Sequence, residues 1–228
     1  MKLTIAVPVY NERERVERAL KELLAVEFPI ETEILVVDDG SKDGTSELVE
    51  SLELPANVRL VRHPKNRGKG AALRTALDNA TGDIFVPFDA DLEYDPNDLP
   101  RLLHPFLHDD VSVVYGTRAF GSHTAFSFWY VMGNKMIVLW ANVFFNSYIS
   151  DLETCYKMVS TDVLRTLKLK SDSFAIEAEV TAKLLKKGYR PLEIPISYRA
   201  RSRAQGKKIQ WWDGVIALWT IFRIRFIG

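Results

Sequence analysis

The sequence predicts an α/β fold, with a mostly parallel central sheet and helices on both of its faces. Apolar segments that are typical of strands alternate along the chain with segments of helical periodicity. Within these segments the apolar residues are continuous and do not alternate with polar residues. Continuous apolar runs are typical of parallel strands that are buried on both faces. With 228 residues, 47% of them hydrophobic, the chain is large enough for a single domain of this kind.

The first half of the chain supplies the predicted elements in order. They are a strand at 3–9, a helix from about 11 to 25, a strand at 33–39, a helix at 43–52, a strand at 58–61, a helix at 68–80 and a fourth strand that leads to Asp89. The first helix is predicted because apolar residues recur at positions 16, 19, 20, 23 and 24, on one helical face. Gly40 and Ser41 close the second strand, and Gly68 opens the third helix.

Polar residues follow each of these four strands. The clusters are residues 10–12, 38–39, 66–69 and 89–93. Because the carboxyl ends of parallel strands meet at one edge of a sheet, and ligands bind there in open α/β sheets, we expect the clusters to form a ligand site. Acidic residues placed for solubility would instead be scattered over both edges.

The last of these clusters contains three carboxylates at alternate positions, Asp89, Asp91 and Glu93. Strand side chains alternate between faces, so the three carboxylates are expected to point the same way and to suit a hard divalent cation. Such cations are usually held by one or two carboxylates together with substrate phosphates, which predicts a phosphorylated ligand. From this segment alone a second interpretation stays open, in which the acids solvate a loop or cap a helix starting at Asp95.

Two further sequence features concern the partners of the chain. Gly68, Lys69 and Gly70 at the start of a helix predict a close backbone approach to an anionic ligand. Basic and acidic residues number 30 each, so the overall charge gives no reason to expect a nucleic acid partner.

A single cysteine, Cys155, and the lack of a signal-like start lead us to expect a cytoplasmic location.

The ordered motifs resemble those of family 2 inverting glycosyltransferases with a GT-A fold, the nucleotide-diphospho-sugar transferase type. They are VPVYNE at 7–12, VDDGSKDGT at 37–45, NRGKGA at 66–71 and DAD at 89–91. Within the family, the chain is most similar to the polyprenyl-phosphate (dolichol-phosphate) mannose and glucose synthases. YGTR at 115–118, DLETCYK at 151–157 and residues 198–208 support this likeness.

The resemblance implies roles for individual residues. Pro8, Tyr10, Glu12, Asp39, Lys69 and Asp89 belong to the nucleotide site, while Asp89, Asp91 and Glu93 hold Mg²⁺ or Mn²⁺ against the donor diphosphate. Glu93 is a departure, because glutamine is frequent at this position in the branch. Arg118 is expected to meet the acceptor phosphate, and Lys135, Arg201, Arg203 and Lys207 to contact the acceptor or the diphosphate.

The implied reaction moves a hexose from a nucleotide-diphosphate sugar to a lipid acceptor with inversion at the anomeric carbon. GDP-mannose, UDP-glucose and UDP-N-acetylglucosamine all remain possible donors. Asp91, through the metal, and Arg201 would stabilise the leaving diphosphate. A polyprenyl phosphate acceptor needs no strong base, whereas a hydroxyl acceptor would need one, and Glu153 is the candidate. An ion pair of Glu153 with Lys157 at helical spacing is the alternative.

Two apolar stretches bear on the acceptor and on the membrane. Residues 119–150 are aromatic-rich with Lys135 as their only full charge, but polar residues interrupt the run of about 20 that a membrane-spanning helix needs. We interpret them as an interfacial or acceptor-lining helix. Residues 209–228 combine tryptophans with Arg223 and Arg225, which is typical of a helix on an anionic membrane surface. The alternative, that both stretches are ordinary core helices, stays open.

We therefore expect one domain with three parts: a nucleotide-sugar-binding half at 1–95, an acceptor half with a mobile loop at 96–208, and an amphipathic, membrane-surface helix at 209–228. The expected location is peripheral, at the cytoplasmic face of a membrane. Two other functions are compatible with the sequence. One is a transferase of the same fold that acts on a saccharide or glycolipid hydroxyl, and the other is a non-catalytic membrane-surface module that binds nucleotide sugars.

Overall fold

A computed structural model describes residues 1–120, 128–200 and 211–227 and confirms the predicted fold class. The elements in order are β1 (Lys2–Val9), α1 (Val16–Leu24), β2 (Glu31–Asp38), α2 (Thr45–Ser51), β3 (Val58–Arg62), α3 (Lys69–Asn79), β4 (Ile84–Pro87), a 3₁₀ turn (Pro96–Asp98), α4 (Leu99–His108), β5 (Val113–Thr117), α5 (Phe128–Phe145), β6 (Lys157–Ser160), α6 (Thr161–Thr166), α7 (Ile176–Lys186), β7 (Leu192–Pro195) and α8 (Trp211–Phe226).

Seven strands form one sheet in the order β3-β2-β1-β4-β6-β5-β7. Strands β1 to β4 are parallel to one another, so their carboxyl ends lie at the same edge. β6 is antiparallel to both of its neighbours, and β5 and β7 are again parallel. The four polar clusters predicted to share an edge therefore do so.

Buried side chains cover both faces of the sheet, as continuous apolar strands require. Neighbouring residues in a strand point to opposite faces, and Val7 and Ala6 of β1 accordingly belong to different apolar clusters. Val7 packs on the side of α1 and α4, and Ala6 on the side of α3 and α7. A third apolar cluster joins α5, α7 and α8.

Helix α1 begins at Val16, the first residue of the apolar periodicity, and not at about residue 11 as predicted. Asn11 has a left-handed backbone (φ 52°), which ends the extended chain of β1 in a turn. Its amide donates to Ser41 Oγ (2.9 Å), and its Oδ1 accepts from the amide of Lys42 (2.9 Å). Residues 11–15 thus fix the loop after β1 against the loop after β2.

At the opposite edge of the sheet, Glu33 is a buried anchor for the amino-terminal ends of the strands. Its carboxylate accepts from Thr4 Oγ1 (2.6 Å) and from the amides of Thr81 (2.5 Å) and Gly82 (3.2 Å). Burial would raise the pKa of Glu33, but the hydrogen bonds from Thr4 and Thr81 outweigh it and lower the pKa to about 2. Glu33 is therefore ionised in the fold at any ordinary pH.

Helices α5 and α8 pack side by side and bury only one side each. Their other sides form a continuous apolar surface, which we call the α5–α8 face. It consists of Phe128, Met132, Met136, Leu139, Trp140, Val143, Trp212, Val215, Ile216, Trp219, Phe226 and Ile227, all of them exposed. In the described part of these segments, the predicted alternative of ordinary core helices does not account for the exposed aromatic side chains. Among the described residues, no helix is both long and apolar enough to cross a membrane.

Candidate active site

Asp39, at the end of β2, organises the loop that follows β3. Its carboxylate accepts from the backbone amides of Arg67 (2.9 Å) and Gly68 (2.6 Å). His63 Nδ1 lies 2.7 Å from Asp39 Oδ1, and both side chains are buried. Since a buried carboxylate needs such partners to stay charged, this arrangement fixes the loops after β2 and β3 against each other.

The residues after β1 lie beside these loops. The amide of Asp39 donates to the carbonyl of Val9 (2.9 Å), and the amide of Glu12 donates to Thr45 Oγ1 (3.0 Å). Glu12 Oε2 is 3.2 Å from Arg15 Nη1. Pro8, Tyr10, Glu12 and Asp39 are thus brought to one region of the edge, and their assignment to the nucleotide stays a prediction.

The glycines that open α3 approach a second backbone segment. A Cβ at Gly68 would collide with the carbonyl of Asp172, and one at Gly70 with that of Ser171. The amide of Gly70 donates to the carbonyl of Asp172 (2.8 Å). The loop before α7 therefore packs closely against both glycines, and the expected approach of an anionic ligand to this helix start stays a prediction.

The carboxylates after β4 lie in a turn and not on an extended strand. Leu92 has a left-handed backbone (φ 64°), and Asp91 Oδ1 accepts from the amide of Glu93 (3.0 Å). The carboxylate of Glu93 is buried and accepts from the hydroxyl of Tyr198. Within the described residues, no three His, Cys, Asp or Glu side chains form a group that could hold a metal ion. The geometry therefore does not reproduce the three-carboxylate site, because Glu93 is held on Tyr198.

Asp89 and Asp91 still fit a divalent cation. Both are partly exposed at the edge, and one or two carboxylates completed by substrate phosphates are the usual protein ligands of Mg²⁺. Asp89 Oδ2 lies 2.8 Å from Lys69 Nζ, so a positive charge already balances this carboxylate.

Lys69 belongs to a chain of buried charges that the sequence did not predict. Its ammonium is also 3.2 Å from Glu177 Oε1 in the first turn of α7, and Glu177 Oε2 is 2.7 Å from Lys157 Nζ. Burial would lower the pKa of Lys69, but the carboxylates of Asp89 and Glu177 hold it well above its ordinary value. Lys157 also donates to the carbonyl of Thr154 (2.5 Å).

Glu153 lies in the loop between α5 and β6, so the predicted helical spacing to Lys157 does not exist. Lys157 is the first residue of β6 and pairs with Glu177. Glu153 Oε1 is buried and, among the described residues, has no hydrogen-bond partner. Burial raises the pKa of Glu153 to about 7, although the nearby charge of Lys157 opposes this. A carboxyl group with this pKa is suited to accept a proton at neutral pH.

Arg118, after β5, forms a buried bidentate ion pair with Asp151. Its Nε and Nη2 lie 2.7 Å and 2.8 Å from the two carboxylate oxygens, and its guanidinium is 5.0 Å from the ring centre of Tyr198. Burial would raise the pKa of Asp151, but Arg118 outweighs it and keeps the pKa below its ordinary value. The pair fixes the orientation of the guanidinium, and its predicted contact with an acceptor phosphate stays a prediction.

Of the predicted residues that the structure describes, Lys135 is not brought into this arrangement. Lys135 is exposed on α5, and among the described residues no ion pair or hydrogen bond joins it to the polar edge. Arg201, Arg203 and Lys207 lie outside the described residues.

The sequence matches the family model for glycosyl transferase family 2 over residues 4–168, well over half of the chain. The chain belongs to glycosyl transferase family 2. It is therefore a glycosyltransferase, as the motifs predict.

Two relatives within family 2 support the predicted branch. The chain is 27% identical over 212 residues to a dolichol-phosphate mannosyltransferase of Pyrococcus furiosus. The aligned region covers 91% of this chain and 59% of that enzyme. It is 34% identical over 122 residues to an undecaprenyl-phosphate 4-deoxy-4-formamido-L-arabinose transferase of Pseudomonas fluorescens, covering 51% of this chain and 36% of the relative. This chain thus spans less than two thirds of either relative.

A solved structure of low sequence identity has the same fold. Glucosyl-3-phosphoglycerate synthase of Mycobacterium tuberculosis, solved with Mn²⁺, UDP and glucosyl-3-phosphoglycerate, superimposes with a TM-score of 0.73. The likeness covers 100% of this chain and 81% of that chain at 17% identity. This comparison confirms the GT-A fold.

Two residues of this glycosyltransferase's edge escaped sequence reasoning. Glu177 carries a usable signal, since it lies among apolar residues at the start of α7, where a charged residue needs a buried partner. His63 directly follows β3 and so lies at the same edge as the other clusters. Neither signal identifies the partner, which comes from a distant part of the chain.

Proposed function

We propose that this glycosyltransferase moves a hexose from a nucleotide-diphosphate sugar to polyprenyl phosphate, with inversion at the anomeric carbon. The observation that carries the proposal is the turn after β4, which presents Asp91 and the Lys69-paired Asp89 at an edge built from all four family motifs. The similarity to two enzymes named for polyprenyl-phosphate acceptors supports the acceptor class.

Asp89 and Asp91 would hold Mg²⁺ or Mn²⁺, and the bound cation would neutralise charge that develops on the leaving diphosphate. Lys69 adds a second positive charge next to Asp89. These groups are fixed before the substrate binds, which is the condition under which electrostatic stabilisation is most effective.

On the acceptor side, Arg118 supplies a positive charge for the phosphate of the lipid. Asp151 takes two of its five N–H donors and leaves the others for a ligand. Because the ion pair and the ring of Tyr198 already fix the guanidinium, little conformational entropy would be lost on binding. An anionic phosphate oxygen can attack without a general base.

A second candidate function, transfer to a hydroxyl of a saccharide or glycolipid, is favoured by Glu153. Its unpartnered Oε1 and its pKa of about 7 are the properties of a general base that works near neutral pH. With a phosphate acceptor, this carboxyl group would have no role in the reaction, although its burial lowers the stability of the fold.

The decisive experiment compares acceptors. Purified protein with Mn²⁺ is incubated with radiolabelled GDP-mannose, UDP-glucose or UDP-N-acetylglucosamine and with either polyprenyl phosphate or a hydroxyl acceptor. We expect transfer to polyprenyl phosphate, abolished in Asp91→Ala and retained in Asp110→Ala, an exposed acidic residue in the loop after α4. Transfer to the hydroxyl acceptor alone would replace the first candidate with the second. Undiminished transfer by folded Asp91→Ala would refute the proposed metal site.

We also propose that the α5–α8 face lies on the cytoplasmic surface of an anionic membrane. Exposed tryptophans and Met, Val and Phe side chains are joined there by exposed Arg223 and Arg225, a combination suited to the lipid interface. Co-sedimentation with phosphatidylglycerol vesicles should fall strongly in a Val143→Glu/Trp219→Glu variant. Leu192→Ser removes an exposed apolar residue elsewhere and should sediment like the wild type. Equal sedimentation of all three proteins would contradict the proposal.

A further inference from the structure

Glu177 is the shared counter-ion of two lysines from different parts of the site, the buried Lys157 and the partly buried Lys69. Oε1 faces Lys69 at 3.2 Å and Oε2 faces Lys157 at 2.7 Å, and the carboxylate is almost completely buried. Lys69 in turn holds Asp89, and Lys157 holds the carbonyl of Thr154 next to Glu153. A chain of alternating charges thus runs from a carboxylate that would bind the cation to the loop of the candidate base.

The two oxygens of Glu177 differ in a way that points to a function. Oε2 accepts a hydrogen bond from Lys157, whereas Oε1 makes none among the described residues, although Lys69 is within ion-pair distance. The hydrogen bond of Lys69 is directed at Asp89 instead. Within the described part of the chain, Glu177 Oε1 is therefore a buried acceptor without a hydrogen bond, and the ammonium group of Lys69 beside it donates to Asp89 instead. Such an unsatisfied buried acceptor is costly, and apolar packing would serve stability as well or better.

We propose that Glu177 is a positioning residue that receives Lys69 when Asp89 binds a cation. A cation on Asp89 repels the neighbouring ammonium, which needs a counter-ion because its side chain is only 13% exposed. A small rotation of the ammonium towards Oε1 supplies that counter-ion without moving Lys69 into solvent. Without the charge of Glu177, Lys69 would remain on Asp89 and compete with the cation. This inference rests on the proposed cation site at Asp89 and Asp91.

The test is the affinity of the purified protein for Mn²⁺ alone, measured by calorimetry, in Glu177→Gln and Glu179→Gln. Glu179 is a matched control, because it is equally buried two residues along α7 but pairs with Lys183 and the amides of Lys170 and Ser171. We expect Glu177→Gln to weaken Mn²⁺ binding at least about tenfold, since one charge at ion-pair distance is lost from a buried network. Glu179→Gln should bind Mn²⁺ within about twofold of the wild type, because its partners lie outside the network.

A double-mutant cycle separates positioning from a general structural effect. In a Lys69→Met background there is no ammonium to receive, so Glu177→Gln should change Mn²⁺ affinity much less than it does in the wild type. Equal losses in both backgrounds, or unchanged affinity in folded Glu177→Gln, would overturn the inference. If Glu177→Gln does not fold, Glu177→Asp keeps the negative charge but moves it away from Lys69 by the length of one methylene group. An intermediate loss of affinity in that variant supports the inference, and wild-type affinity overturns it.

Mn²⁺ binding is measured without donor or acceptor, so the outcome does not depend on which sugar is transferred or to what. Failure of every tested acceptor would refute the proposed function while leaving this measurement valid. Wild-type protein that does not bind Mn²⁺ would refute both.

Discussion

Replacing Glu153 by Gln should make the protein more stable at alkaline pH and leave its stability unchanged at acidic pH. Burial raises the pKa of Glu153 from 4.5 to about 7, so the folded protein holds this proton more tightly than the unfolded chain does. The stability of the wild type is therefore full below about pH 4.5, falls as the pH rises towards 7, and is constant above it. Gln mimics the protonated carboxyl group and removes this dependence.

The size of the effect follows from the pKa shift. Two to three pKa units correspond to roughly 3 kcal/mol, which for a domain of this size is on the order of 5–10 °C in melting temperature. The measurement is thermal unfolding of both proteins at pH 5, 6, 7 and 8. Glu53→Gln, at an exposed position after α2, is the control and should follow the wild type. A stability difference between Glu153→Gln and wild type that is the same at every pH would refute the assignment of the raised pKa to Glu153.

The same variant separates the two candidate acceptors. With a hydroxyl acceptor, loss of the base should lower kcat by roughly 10²–10⁴, and the wild-type rate should rise with pH around a midpoint near 7. With polyprenyl phosphate, whose oxygen is already anionic, the rate should change less than about tenfold. A large loss with the phosphate acceptor would show that Glu153 has another role in the reaction.

Three further substitutions test other parts of the structure. Glu93→Gln should bind Mn²⁺ within about threefold of wild type by calorimetry, because the carboxylate is held by Tyr198, and a loss above about tenfold would establish it as a ligand. Glu33→Gln should lower the free energy of unfolding, measured with urea at pH 7, by about 2 kcal/mol. The loss should shrink as the pH falls from 4.5 towards 2, because a lowered pKa stabilises only the ionised state. A loss that persists at pH 2 would contradict this. Asp151→Asn should cost about 3 kcal/mol in urea unfolding, because it leaves Arg118 buried without its anion, and a cost below about 1 kcal/mol would show that the pair contributes little.

The first half of the fold was predictable because its signals are local. Strands β1 to β4 are apolar segments closed by turn residues, and α1 and α3 show their periodicity within a short window. The sequence did not predict β6 and β7, which have 4 residues each and are stabilised by pairing with distant strands. The start of α1 was placed too early because the left-handed backbone of Asn11 depends on its bonds to the loop after β2.

The site was predictable to the same extent. Parallel strands bring their carboxyl ends together, so the clusters at 10–12, 38–39, 66–69 and 89–93 were expected at one edge. The alternation rule failed for Glu93, because it holds only while the chain stays extended and the chain turns at Leu92. No local pattern could have shown that the hydroxyl of Tyr198, far along the sequence, takes up that carboxylate.

Three of the contacts that local reasoning missed lie where the second half of the chain meets the edge built by the first. Glu177 meets Lys69, Tyr198 meets Glu93, and the carbonyl of Asp172 meets the amide of Gly70. Since each contact ends on or beside a residue assigned to the donor or the cation, substitutions in the second half should change cation affinity as well as acceptor use. If the first half folded independently, its polar side chains would find their hydrogen-bond and ion-pair partners within the first half. Its partly buried Lys69 instead depends on a carboxylate from α7, so this edge of the glycosyltransferase is completed only when both halves have folded together.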